Sequence, residues 1–133
     1  HVVPLGRRRV DEEDVGGLVM TWWLQREMGY AFDRLERRFL RAGDEEFEVD
    51  HAAEARRGDE VRMVIGEVKA RVHVSEIRAL VDRNRRLQRG LPMPILALLF
   101  CRRIHPAAVA AAQEAGIVLV PWDYQYRAAY ERR

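Results

Sequence analysis

"FEVDHAAEARRGDEVRMVIGEVKARV", Phe47 to Val72, decides the fold. Side chains on a strand alternate between two faces, and the first half of this stretch alternates. Phe47, Val49, His51 and Ala53 fall on one face; Glu46, Glu48, Asp50 and Ala52 fall on the other. "RRGDE" reads as a hairpin turn with Gly58-Asp59 at its tip. The second half is rich in β-branched residues. Val61, Met63, Ile65, Glu67 and Lys69 share one face, Val64, Val68 and Val72 the other. Both faces are largely apolar, which predicts a central strand.

Beyond the hairpin, Ser75 predicts the cap of a helix that runs to Arg89 and stops at Gly90. Ile77, Leu80, Val81 and Leu87 face inward, and Asn84 falls on the same stripe. "PILALLF" suits a buried strand, "HPAAVAAAQEAG" a helix with Pro106 in its first turn, and "IVLV" a second buried strand closed by Pro121. "WDYQYRAAYERR" reads as a terminal helix over about 123–133. Ahead of the hairpin, a charged lead-in precedes a long helix over about 15–42. There Met28, Phe32, Leu35 and Phe39 recur at helical spacing, and Gly43 serves as the stop. Trp22 and Trp23 read as core or contact residues. The result is one α/β domain over residues 1–133, with its core at about 44–121. A mixed sheet, antiparallel in the hairpin and parallel after right-handed crossovers, is flanked by helices. No repeat or linker interrupts it.

The composition narrows the function. There are 23 basic and 21 acidic residues, and the formal charge of +2 is not that of a polycation. It favours a polyanionic partner only weakly. One cysteine, Cys101, excludes an internal disulfide framework and suits a reducing cytoplasm. The longest apolar stretch, "LPMPILALLF", is about half a membrane span, so no membrane partner is expected. The chain opens on His1, which reads as a trimmed or added start, and no signal peptide is legible. Phosphate-binding glycine loops are absent from the sequence. His51, His73 and His105 are scattered and read as packing or cap residues.

Of the 23 basic residues only one, Lys69, is a lysine. It lies two residues after Glu67, about 6.5 Å along the same face of a strand. Asp50 on the partner strand reaches the same cleft if the hairpin register brings its polar face there. Two carboxylates plus a backbone carbonyl, that of Val68, make a hard oxygen set suited to Mg²⁺ or Mn²⁺. A neighbouring lysine can orient or deprotonate water, a role arginine fills poorly because it holds its proton. The bland alternative is a surface ion pair. Arg78, Arg83, Arg85, Arg86 and Arg89 on the following helix read either as phosphate contacts or as an ordinary solvated face.

Taken together, Phe47 to Arg83 resembles the core of the PD-(D/E)XK nuclease superfamily, the restriction-endonuclease-like fold. The pattern is an acid on one strand, Asp50, followed across a hairpin by an acid-x-lysine, Glu67-Val68-Lys69. The likeness covers roughly Asp14 to Cys101 and is greatest to uncharacterised prokaryotic members with long helical segments ahead of the core. Two departures stand out: Val49 rather than proline precedes Asp50, and the chain before Asp50 is short for a separate first strand. The resemblance implies a Mg²⁺-dependent phosphodiesterase acting on nucleic acid, DNA by family habit. Asp50 and Glu67 would hold metal, and Lys69 would serve catalysis. It also implies an acid on the first helix, for which Glu36 is the candidate and Glu27 the alternative. A homodimer is expected because such enzymes often cut two strands, with "WW" and "WDYQY" as its seam. The alternative function is a catalytically inactive module on the same fold that binds nucleic acid or protein.

Overall fold

The hairpin is formed where its alternation predicts it. In the computed structural model, which describes residues 12–124 and 126, β2 (Glu45–Arg57) and β3 (Glu60–Val72) run antiparallel about Gly58-Asp59. Around them the order is α1 (Glu12–Arg26), β1 (Glu36–Ala42), β2, β3, α2 (Val74–Gln88), β4 (Ile95–Ile104), α3 (Pro106–Glu114) and β5 (Val118–Val120). The strands lie in one sheet in chain order. β1, β2 and β3 pair antiparallel, whereas β3–β4 and β4–β5 pair parallel. β3 is therefore central, as its two apolar faces require.

Helices cover both faces. Val19, Met20 and Leu24 of α1 bury against Val64, Leu98 and Phe100. On the opposite face, Ile77 and Leu80 of α2 and Ala108 and Ala112 of α3 bury against Leu99 and Cys101. A third cluster, Val49, Ala52, Met63, Ile65 and Leu87, seats the end of α2 on the hairpin. Two glycines let α1 lie close to the sheet. A Cβ on Gly16 would run into Val68, and one on Gly66 would sit 2.7 Å from the Met20 sulfur. Among the described residues no helix is long and apolar enough to cross a membrane.

The expected helix over 15–42 is corrected. α1 ends at Arg26, and Gly29, at φ 73°, turns the chain in the left-handed region that L-residues avoid. Residues Glu36–Ala42 then form the first strand. Met28, Phe32 and Leu35 do pack on the α1-side core, but from the connecting segment, and Phe39 is left exposed. The first residue of α2 is Val74, and its N-cap is His73 rather than Ser75. Most of the expected terminal helix lies outside the described residues.

Gly16→Ala should test the α1 layer. The added methyl has to displace the branched, partly buried Val68, so stability should fall by about 1–3 kcal/mol, read from the midpoint shift in urea unfolding.

Candidate functional site

The strands part where the proposed acids stand. The β2–β3 ladder runs from Arg57–Glu60 to His51–Gly66. Beyond it, among the described residues, β2 continues beside β1 and β3 beside β4. Asp50 and Glu67 are the next residue on each arm of this fork. The β1–β2 register also shifts there: Glu36 pairs with Ala52 but Arg38 with Val49, so three steps on β2 oppose two on β1. Such a bulge rotates the side chains that follow it. Val49 and Ala52 consequently join the same buried cluster, while His51 turns to α1 and lies under Gly17.

Asp50 belongs to the α1 side of the fork. Its carboxylate lies 3.6 Å from Nε of Arg37, which is also 3.5 Å from Glu48. With Arg37, His51, Glu13 and Asp14 it lines an open cavity of about 520 Å³. Nε2 of His51 is 3.0 Å from Oε2 of Glu13. An ionised carboxylate only accepts, so the imidazole carries its proton on Nε2 and donates it to Glu13.

Glu67 and Lys69 belong to the α2 side. Glu67 lies 3.3 Å from Nη1 of Arg83, both side chains being 18% exposed. A cavity of about 270 Å³ is lined by Glu67, Lys69, Ser75, Glu76, Ala79, Leu80 and Arg83. Glu76 accepts from the His73 backbone N–H at 2.6 Å and from the Ser75 hydroxyl at 2.8 Å. The His73 N–H above all, then Ser75, with the nearby Lys69 charge assisting, holds this carboxyl below the usual carboxylate range. Val68 points away from this cavity and packs toward Gly16 of α1.

The single cleft expected for Asp50, Glu67 and Lys69 is therefore not formed. They stand at one fork but line two cavities, because the bulge sends Asp50 toward α1 while Glu67 stays on the α2 face. Among the described residues no three His, Cys, Asp or Glu side chains gather closely enough to hold a metal ion. Glu36 is on β1, not on a helix, and pairs with Arg34 at 3.5 Å; Glu27 is exposed just past α1. The first-helix acids that share a cavity with Asp50 are Glu13 and Asp14, of which Glu13 bonds His51. The signal for them was present in "DEEDVGG", whose acids suit the first turn of a helix, but that stretch reads more simply as a charged lead-in.

The helix arginines divide. Arg83 holds Glu67. Arg86 is 2.6 Å from Glu45, 3.4 Å from Asp82 and 5.4 Å from the Phe47 ring centre, so it ties α2 to the start of β2. Both are ion-paired within the chain. Arg78 and Arg85 are exposed and line a cavity between α2 and α3. Asn84 accepts from Arg83 at 3.0 Å. Of the aromatics expected at a dimer seam, Trp23 meets Tyr124 edge-on at 5.0 Å and Trp122 stacks on Phe100 at 4.8 Å, whereas Tyr126 is exposed. Burial pushes the Cys101 thiol up.

No family model matches the chain, and no curated protein matches it in sequence. Its architecture does match solved structures. MspJI restriction endonuclease, solved in complex with a 27-mer oligonucleotide, superposes with a TM-score of 0.57 at 16% identity over 85% of this chain and 26% of that one. A protein of unknown function, AF1548, gives 0.56 at 20% identity over 86% and 60%. VC1899 from Vibrio cholerae gives 0.51 at 14% identity over 90% and 32%. The chain thus spans 60% or less of each of these neighbours. The fold is restriction-endonuclease-like: a five-stranded mixed sheet, antiparallel then parallel, between helices.

A double-mutant cycle tests the α2-side pin. Arg83→Gln should cost about 1 kcal/mol, between the limits for exposed and buried pairs. Adding Glu67→Gln should cost less than the sum of the two singles, measured by chemical denaturation.

Proposed function

We propose that this domain is a Mg²⁺- or Mn²⁺-dependent phosphodiesterase of the PD-(D/E)XK kind, acting on nucleic acid and on DNA in particular. The observation that carries the reading is the fork in the hairpin, with Asp50 first on one arm and Glu67, followed by Lys69, on the other. The likeness of fold to MspJI, solved with an oligonucleotide, points the same way.

In chemical type the donors fit a hard divalent cation. Asp50 and Glu67 would hold it, with the Val68 carbonyl as a further oxygen. When bound, such a cation neutralises phosphate charge and lowers the pKa of its water. Each acid now faces a guanidinium, Arg37 or Arg83, which it would have to exchange for the cation. Lys69 orients the attacking water or stabilises charge at the phosphate. Glu13, hydrogen-bonded to His51, steadies the strand that carries Asp50. Arg78, Arg85 and Arg89 are the cations of this helix and its cap left to meet the backbone.

One observation favours a second reading, a nucleic-acid-binding module that does not cut: the acids line separate cavities and are already ion-paired. Cleavage of DNA and RNA forms with Mn²⁺ separates the two. On the first reading Asp50→Asn, Glu67→Gln and Lys69→Met each lose at least about 100-fold in rate, and calorimetry of Arg83→Gln gives tighter metal binding than the unaltered chain. Equal cutting by all variants, or oligonucleotide retention with neither cutting nor metal heat, removes the catalytic assignment.

A further inference from the structure

At the carboxyl ends of β3 and β4, just beyond the cavity that Lys69 and Glu76 line, the chain collects positive charge. Arg71 and Arg103 stand directly opposite each other in the parallel ladder. Like charges so paired destabilise a sheet unless something neutralises them. Eight described arginines elsewhere, Arg34, Arg37, Arg41, Arg57, Arg62, Arg83, Arg86 and Arg102, each sit within 4.0 Å of a carboxylate. No described acid is so placed against Arg71 or Arg103.

The ladder continues one step further, where the His105 N–H donates to the Val72 carbonyl at 2.9 Å. This brings the His73 and His105 rings to 6.0 Å between centres. Arg71, His73, Arg103 and His105, with Val72 and Ile104, line a cavity of about 230 Å³ that contains no acid. Nδ1 of His105 accepts from the Ala107 N–H at 3.1 Å, which leaves its Nε2 as the proton-bearing donor. The nearest acid, Glu76, is turned to the His73 backbone N–H and the Ser75 hydroxyl. The cavity is below the roughly 300–1,000 Å³ that small-molecule sites occupy. It suits a group the size of a phosphate and not a whole nucleotide.

We propose that Arg71, His73, Arg103 and His105 form a cradle for one backbone phosphate of a bound nucleic-acid strand. Two guanidinium forks and an imidazole N–H match the oxygens of that group. Arg71 lies one alternate-residue step, roughly 6.5 Å, beyond Lys69 on the same strand. The gripped phosphate is therefore a neighbour of the one over Lys69, and the cradle would set the direction in which the strand leaves the fork. This inference rests on the reading that the domain takes nucleic acid.

The test is retention of a labelled duplex and a labelled single strand without divalent metal, titrated with salt. Replacing Arg71 and Arg103 together by Gln should flatten log K against log salt by about 0.9, the loss of a single phosphate contact. Each single replacement should give part of that change. Arg34→Gln, in the segment ahead of β1 and paired with Glu36, should leave the slope alone. Thermal melting guards against misfolding: relief of the Arg71–Arg103 repulsion should keep Tm level or raise it. If the unaltered chain retains no oligonucleotide, the nucleic-acid reading falls and the cradle with it. If it retains DNA with a slope that both arginine replacements leave unchanged, the cradle alone is overturned. If inorganic phosphate shifts the His73 and His105 ring resonances but never competes with DNA, the cavity is a small-anion site and the backbone assignment is wrong.

Discussion

The register of β2 against its two neighbours is the constraint on which the rest depends. Side chains on a strand alternate, so a shift of one residue moves a functional group to the other face. β2 obeys its β3 register as far as His51–Gly66 and then takes an extra residue against β1. That residue separates Asp50 from the face carrying Glu67. It also brings His51 and Asp50 together beneath α1, where Glu13 waits. The two acids remain adjacent in the order of the chain fold while facing different helices.

Arginine enforces this division. Arg37 bridges Glu48 and Asp50 on one side, and Arg83 and Arg86 clamp α2 to β3 and β2 on the other. The guanidinium group is planar and multidentate, which suits it to holding two acids in place. Lys69, the single ammonium, sits near Glu76, whose carboxylate is already committed to the cap of α2. The metal chemistry proposed at the fork would require these arginine pairs to open.

Much of the fold was legible in the sequence, because the signals were local. The Gly58-Asp59 turn, the two-sided apolar pattern of β3, and the Pro106 and Gly116 boundaries of α3 all correspond to structure. The first strand was hidden. Met28, Phe32, Leu35 and Phe39 satisfy a helical period, and "ERRFLRA" alternates only weakly because arginines occupy both faces at a sheet edge. Gly29 carried the decisive break but looks unremarkable inside an apolar-periodic stretch. The bulge at Asp50 was invisible for a different reason: an added residue depends on what the partner strand does, and no local pattern records that. The same holds for Arg83 and Arg86, whose partners are distant in sequence, and for Arg71 facing Arg103, which requires the parallel pairing to be known.

The outer strands carry a further consequence. β1 bears Arg37, Arg38 and Arg41 along seven residues, and β5, at the other margin of the described sheet, is only three residues long. An open margin is a template on which a second chain can add a strand. Here one margin is lined by charged side chains, Arg37 and Arg41 with their carboxylate partners and Arg38, and the other is too brief to seed a ladder. The exposed ring of Phe39 stands among those cations, so self-association through strand addition is disfavoured despite an apolar group in the open.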